Sequence, residues 1–429
     1  MAPKKALNIL TVCAYYHPAF IYGGPVPAAH NLNRALVKSG HSVTVYTTAA
    51  NGTGDLEVPT GSAVMVDEMP VYYFKRWWFG RAAKPFSLFL SPAMGKKLAQ
   101  LRPGDYDLIL SHAGFTDPNR MMAKAAQRAQ IPYFYYSHGG FEPWRLNFKR
   151  LKKKVYLGLL EGKILQQSAG IVVCNEAEIK SLEKMGITAP IKRIPWGIDR
   201  LEDLPKPERG ELEKLFPQLA GRPYVLFLSR LHLMKGLELL IPAFARVALQ
   251  FPDWRLVLAG PDEGGYRQVL EGLIEQTGIG DRVLLPGLVK GDDKAALLAN
   301  AEIFTLPSFS EGFSISISEA LGYGRPVVIT TTCYVPEVQE WSGGLTVQPD
   351  IEALAEALRR MMADEDFRKT CSQNAQRLAA EHFTWEAVTR ESLAFYSEGM
   401  ERHAARHKIM QPRDDVISQV SCPNIHRTP

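Results

Sequence analysis

Short apolar runs alternate with amphipathic stretches along nearly the whole chain. In the first half the runs are LNILTVCA, SVTVYTT, YDLILSH, PYFYYSH and GIVVCN; in the second they are YVLFLSR, RLVLAG, RVLLPG, IFTLPS and PVVITT. Each is β-rich and bounded by turn formers or polar residues, as expected of strands buried on both faces. The segments between them carry helical spacing, as in AAHNLNRALVKSG after the glycine pair Gly23-Gly24. Such β-α alternation predicts doubly wound parallel sheets, with ligands at the carboxyl ends of the strands. The alternation breaks around 196–222, a stretch rich in Pro, Gly and charge. A chain of 429 residues exceeds one typical core, so the break divides it into domains 1–200 and 201–382. From Ala405 onward apolar periodicity is lost, and 405–429 reads as a disordered tail.

Composition narrows the class. Hydrophobic content of 46% with 22% charge is ordinary for a soluble enzyme, and no apolar run approaches the ~20 residues of a membrane span. The opening MAPKKALNILTVCAYY is a strand after a basic start rather than a secretory signal. Five scattered cysteines without a C-x-x-C pair indicate neither a zinc site nor a disulfide framework, and fit a reducing cytoplasm. Charge is divided unevenly. Residues 1–200 carry 26 basic and 13 acidic side chains (net +13), and 201–429 carry 24 and 32 (net −8). No nucleic-acid motif accompanies the basic half. Its charge instead gathers beside aromatic and apolar residues at 74–90 and 145–165, suited to an anionic membrane surface on the cytoplasmic side.

The richest stretch is PSFSEGFSISISEALGYGRPVV, 307–328. Glu311 falls before a helix and Glu319 about two turns inside it, an interval of roughly 12 Å if helical throughout. Between them the N–H groups of Gly312, Phe313 and Ser314 form a helix N-terminus able to seat phosphate. Two hydroxyl acceptors flanking a phosphate cradle suit a nucleotide-sugar. Arg230 and Lys235 follow another strand and can neutralise a diphosphate without a metal, and the backbone near Val289 can read a nucleobase. Gly23 and Gly24 allow close approach of a phosphate or sugar, but their spacing is not the G-x-G-x-x-G of dinucleotide enzymes. His138, before Gly139-Gly140, is placed to face a cleft, with His112 as a competitor one strand earlier. Asp105-Tyr106-Asp107 matches a metal-binding D-x-D by letters, but it precedes its strand and reads as a turn.

Taken in order, the Gly23-Gly24 loop, H-G-G at 138–140, S-R-x5-K-G at 229–236 and E-G-F-S with E-x7-E at 311–319 resemble the retaining glycosyltransferases of family four. The resemblance runs from Asn8 to about Tyr396 and implies the GT-B fold, two Rossmann-like domains facing a cleft. It implies that the first domain binds the acceptor and the second the nucleotide-sugar, with 383–404 a helix crossing back to the first. It implies that Arg230 and Lys235 hold the donor diphosphate, that Glu311 and the backbone of 312–314 hold the sugar, and that Glu319 holds the ribose. His138 would lie near the anomeric centre and Gly24 against the phosphates. Ser229 departs from a frequent family glycine. No carboxylate is an obvious nucleophile for a covalent intermediate. The resemblance therefore implies front-face transfer without metal or cofactor, and the basic stretches at 74–90 and 145–165 suggest a saccharide or lipid-linked saccharide acceptor in surface-polysaccharide assembly. The alternatives are a GT-B-like epimerase and a non-catalytic nucleotide-sugar-binding subunit.

Overall fold

The computed structural model describes residues 5–77, 89–143, 146 and 161–410. The first sheet contains β1 (Asn8–Cys13), β2 (Ser42–Thr48), β5 (Ala63–Val66), β6 (Met69–Phe74), β7 (Leu108–His112), β8 (Tyr133–Tyr136), β9 (Gly170–Val173) and β10 (Ile191–Arg193). Between β2 and β5, β3 (Ala50–Asn51) and β4 (Gly54–Asp55) form a separate two-stranded ribbon. The eight strands run in the order β10-β9-β8-β7-β1-β2-β6-β5, all parallel except β5, which pairs antiparallel with β6. A second sheet is wholly parallel, in the order β13-β12-β11-β14-β15-β16. Its strands are β11 (Tyr224–Leu228), β12 (Arg255–Ala259), β13 (Val283–Gly287), β14 (Ile303–Leu306), β15 (Val327–Thr330) and β16 (Gly344–Val347).

All ten apolar runs read from the sequence are strands, and their burial explains why. Every residue of β7, β8, β9, β11, β14 and β15 is buried, as expected where helices cover both faces of a parallel sheet. The strands without such a signal have other causes. The β5–β6 hairpin turns through Asp67 and Glu68, both at positive φ, in place of the usual Asn-Gly or Gly. β10 is only three residues long, and β16 opens on Gly344.

The helix Trp385–Met410 packs on the first domain although its chain has just left the second. Phe395 and Tyr396 enter the core beside Phe134, and the Tyr396 hydroxyl bonds that of Tyr136. This helix also corrects the tail. Residues 405–410 are helical, carried by good helix formers with little apolar periodicity, and 411–429 lie outside the described residues.

The proposed membrane segments fare unevenly. Phe74 is buried in β6, and Arg76 is held by Asp55 and the Gly54 carbonyl, so neither faces a bilayer; Trp77 is 59% exposed. Positions 78–88 lie outside the described residues, as do 144–145 and 147–160. Of 145–165, Glu161, Ile164 and Leu165 are buried and Lys163 is exposed.

Candidate active site

In the second sheet, β11 and β14 are neighbours from which the winding proceeds in opposite directions. Such a switch point opens a crevice beyond the strands' carboxyl ends. β11 delivers Ser229 and Arg230 to it, followed by a short turn, Leu233–Lys235; β14 delivers Pro307 and the loop to Ser314. The two loops cross at Gly236, whose φ is +69° and where a Cβ would lie 1.9 Å from the Pro307 carbonyl oxygen. Only glycine permits that crossing, and it brings Lys235 onto Glu311. The Lys235 Nζ lies 2.6 Å from Glu311 Oε1, an oxygen that also accepts from Ser308 Oγ. The Glu311 N–H donates to the Thr332 carbonyl at 3.2 Å, so the residue is held at backbone and side chain.

The helix spans Ile315–Gly322 with Ser314 as N-cap. Glu319 is therefore its fifth residue, little more than one turn in rather than two. The roughly 12 Å rise expected for Glu311 to Glu319 does not apply, because half of that interval is loop. Glu319 Oε1 accepts from Lys294 Nζ at 2.6 Å, while its Oε2 is buried and has no partner among the described residues. A buried carboxylate oxygen without a donor is costly. Arg230, Lys235, Val289, Lys294, Glu311 and Glu319 line one cleft of about 300 Å³, with Phe313 and Ser314 on the same wall. Arg230 forms an ion pair with Glu263, and both side chains are about half exposed. That pair can exchange for a diphosphate at little cost.

On the opposite side, His138 stands at φ +49°, uncommon for a residue other than glycine. Its Nε2 lies 2.9 Å from His112 Nδ1, so the two residues that competed for one role form a hydrogen-bonded pair. Burial pushes His138 down to about 3; burial first, and His138 second, hold His112 well below the usual histidine range. Both rings are therefore neutral at pH 7. Trp196 bridges the domains, 5.8 Å from His138 and 5.5 Å from Phe313 between ring centroids. The same indole explains Gly24, where a Cβ would lie 2.6 Å from the ring. Gly24 thus packs against Trp196, which is a reason for glycine other than the phosphate contact expected of it. The D-x-D segment is a turn: Asp105 Oδ2 accepts from Arg102 N–H and Asp107 Oδ2 from Asn8 N–H, at the far end of the sheet.

Nothing in the sequence pattern singles out Trp196, which lies in the expected linker, or Lys294 and Glu263, whose positions carry no motif. The same holds for Asn175 and Glu142, which touch the 311–312 loop from the first domain.

The buried histidines set a pH dependence. With folded values below the unfolded value near 6.5, their contribution to stability is complete above pH 6.5 and is lost as pH falls toward 3. Thermal melts should therefore show Tm falling from pH 6.5 to 4, with a shallower fall in His138→Gln. Equal slopes for the two proteins would contradict a buried neutral His138.

Residues 22–200 match the family model described as Glycosyltransferase Family 4, and residues 212–378 match that described as Glycosyl transferases group 1. An uncharacterized glycosyltransferase of Methanocaldococcus jannaschii is 25% identical over 91% of this chain and 98% of its own length. One component of the human phosphatidylinositol N-acetylglucosaminyltransferase is 22% identical over 91% of this chain and 75% of its own. Among solved structures, Anabaena HepE in complex with UDP and glucose shares the fold, with a TM-score of 0.66 and 22% identity over 91% of this chain and 99% of that one.

Proposed function

Because the chain belongs to glycosyltransferase family four, and so is an enzyme that transfers sugars, we propose that it moves a sugar from a nucleotide-diphosphate sugar to an acceptor hydroxyl with retention and without a metal ion. The observation that carries this reading is the convergence at one switch point of Arg230, Lys235, a helix N-terminus and the unpartnered Glu319 Oε2. The two cations and the N–H groups of 312–314 receive the diphosphate and stabilise charge growing on it as the glycosidic bond breaks. Glu311, oriented by Lys235 and Ser308, receives sugar hydroxyls. Glu319, held by Lys294, receives the ribose. Val289 borders the base. Neutral His138 can accept or donate one hydrogen bond near the anomeric centre, and the leaving diphosphate takes the acceptor proton.

The basic first half and exposed Trp77 support a lipid-linked saccharide as acceptor, with the enzyme docked on a cytoplasmic leaflet in surface-polysaccharide assembly. The name of the human phosphatidylinositol-modifying relative points the same way. Proton NMR of the product tests the mechanism. An α-linked donor should give an α-linked product in EDTA; a β-linked product, or transfer restored only by magnesium or manganese, would overturn it. Glu319→Ala should raise the KM for the donor about tenfold with kcat nearly unchanged, because ribose contacts are alike in ground and transition states. A loss in kcat alone would move Glu319 out of the ribose site.

A further inference from the structure

Asn175 follows β9 and caps the helix Glu176–Lys184, its Oδ1 accepting from the Glu178 N–H at 3.0 Å. Its Nδ2 reaches the other domain. It lies 2.8 Å from the Gly312 carbonyl oxygen and 3.3 Å from that of Glu311, with Glu142 Oε1 of its own domain also at 3.3 Å. Every group facing Nδ2 is an acceptor and the group facing Oδ1 is a donor, so one amide orientation satisfies the site. The residue is 1% exposed, so little water competes for these bonds.

The consequence comes from peptide geometry. In a trans peptide the carbonyl of one residue and the N–H of the next point in opposite directions. By drawing the carbonyls of Glu311 and Gly312 toward the first domain, Asn175 turns the N–H groups of Gly312 and Phe313 away from it. The loop also packs closely on the first domain here: a Cβ at 312 would lie 2.4 Å from Glu142 Oε1, so that carboxylate would have to move aside.

We propose that Asn175 is a positioning residue for the donor loop: it fixes the two peptides of Glu311–Phe313, so that the first domain completes the diphosphate seat. The inference rests on reading 311–319 as the donor loop. Asn175→Ser and Asn175→Asp test it, because both retain a helix-capping oxygen. Serine is too short to carry a donor across, and aspartate sets an oxygen against three acceptors. In the ligand-free full chain, hydrogen exchange at 309–316 should accelerate at least tenfold in both variants, while 178–184 keeps its protection. Calorimetry with inorganic pyrophosphate should show affinity falling about tenfold. Unchanged exchange at 309–316, or acceleration spread equally over 178–184, would overturn the positioning role. A wild-type chain that binds no pyrophosphate would instead overturn the donor-loop reading beneath it.

Discussion

Lys235→Ala should lower kcat/KM by about 30- to 1,000-fold, the equivalent of about 2–4 kcal/mol of transition-state stabilisation. On the proposed mechanism the ammonium meets charge accumulating on the leaving diphosphate, in a cleft wall where Lys235 and Glu311 have side-chain exposures of 11% and 6%. Removing it acts a second time through Glu311. The carboxylate keeps Ser308 but loses its cation, and a buried charge left without its partner is unfavourable. Glu311 would then swing toward other donors, and the sugar hydroxyls would lose their acceptor. Lys235→Arg retains the charge but not the point contact, so it should recover only part of the loss. Steady-state kinetics on the three proteins decides it; wild-type kcat/KM in Lys235→Ala would remove Lys235 from the site.

Gly236→Ala should destabilise the second domain by about 2–6 kcal/mol, combining a left-handed non-glycine residue with overpacking. The methyl would stand 1.9 Å from the Pro307 carbonyl oxygen, a backbone atom, so no flexible side-chain end can yield. Relief requires the Leu233–Lys235 turn to part from the β14 loop, which would draw Lys235 off Glu311. The variant should therefore melt roughly 10 °C lower and lose turnover even where it remains folded. Circular dichroism melts with parallel kinetics test this. A melting temperature within 2 °C of wild type, with the Lys235-dependent rate intact, would show that the crossing is not needed.

The sheets were legible because burial on both faces leaves one readable signature, an unbroken β-rich run; nine of the ten strands read this way hold buried residues, and β13, at a sheet edge, keeps the run without the burial. β5, β6, β10 and β16 were not, since edge position, brevity or an unusual turn removes that signature. The gathering of Arg230, Lys235 and Glu311 at one cleft was readable for a related reason. Its residues lie close in sequence to strand ends, so Arg230 and Lys235 after β11, and Glu311 after β14, follow from local pattern plus topology. What joins the two domains was hidden. Trp196, Asn175 and Glu142 meet partners more than 100 residues away in sequence, and nothing in their spacing announces that. The His112–His138 pair shows the same limit: sequence placed both at strand ends as rivals, and only the parallel register of β7 and β8 makes them neighbours.

On the proposed function, the cleft beyond β11 and β14 holds a nucleotide-diphosphate sugar through side chains and backbone alone. Thermal shift in EDTA with UDP-, GDP- and ADP-sugars tests it most directly, because a ligand that binds only the folded state at 100 times its Kd adds about 2.7 kcal/mol. The expected result is a clear rise in Tm with one nucleotide class, unchanged by added magnesium and strongly reduced in Lys235→Ala. No shift with any of the three, or a shift that appears only when magnesium or manganese is added, would contradict it.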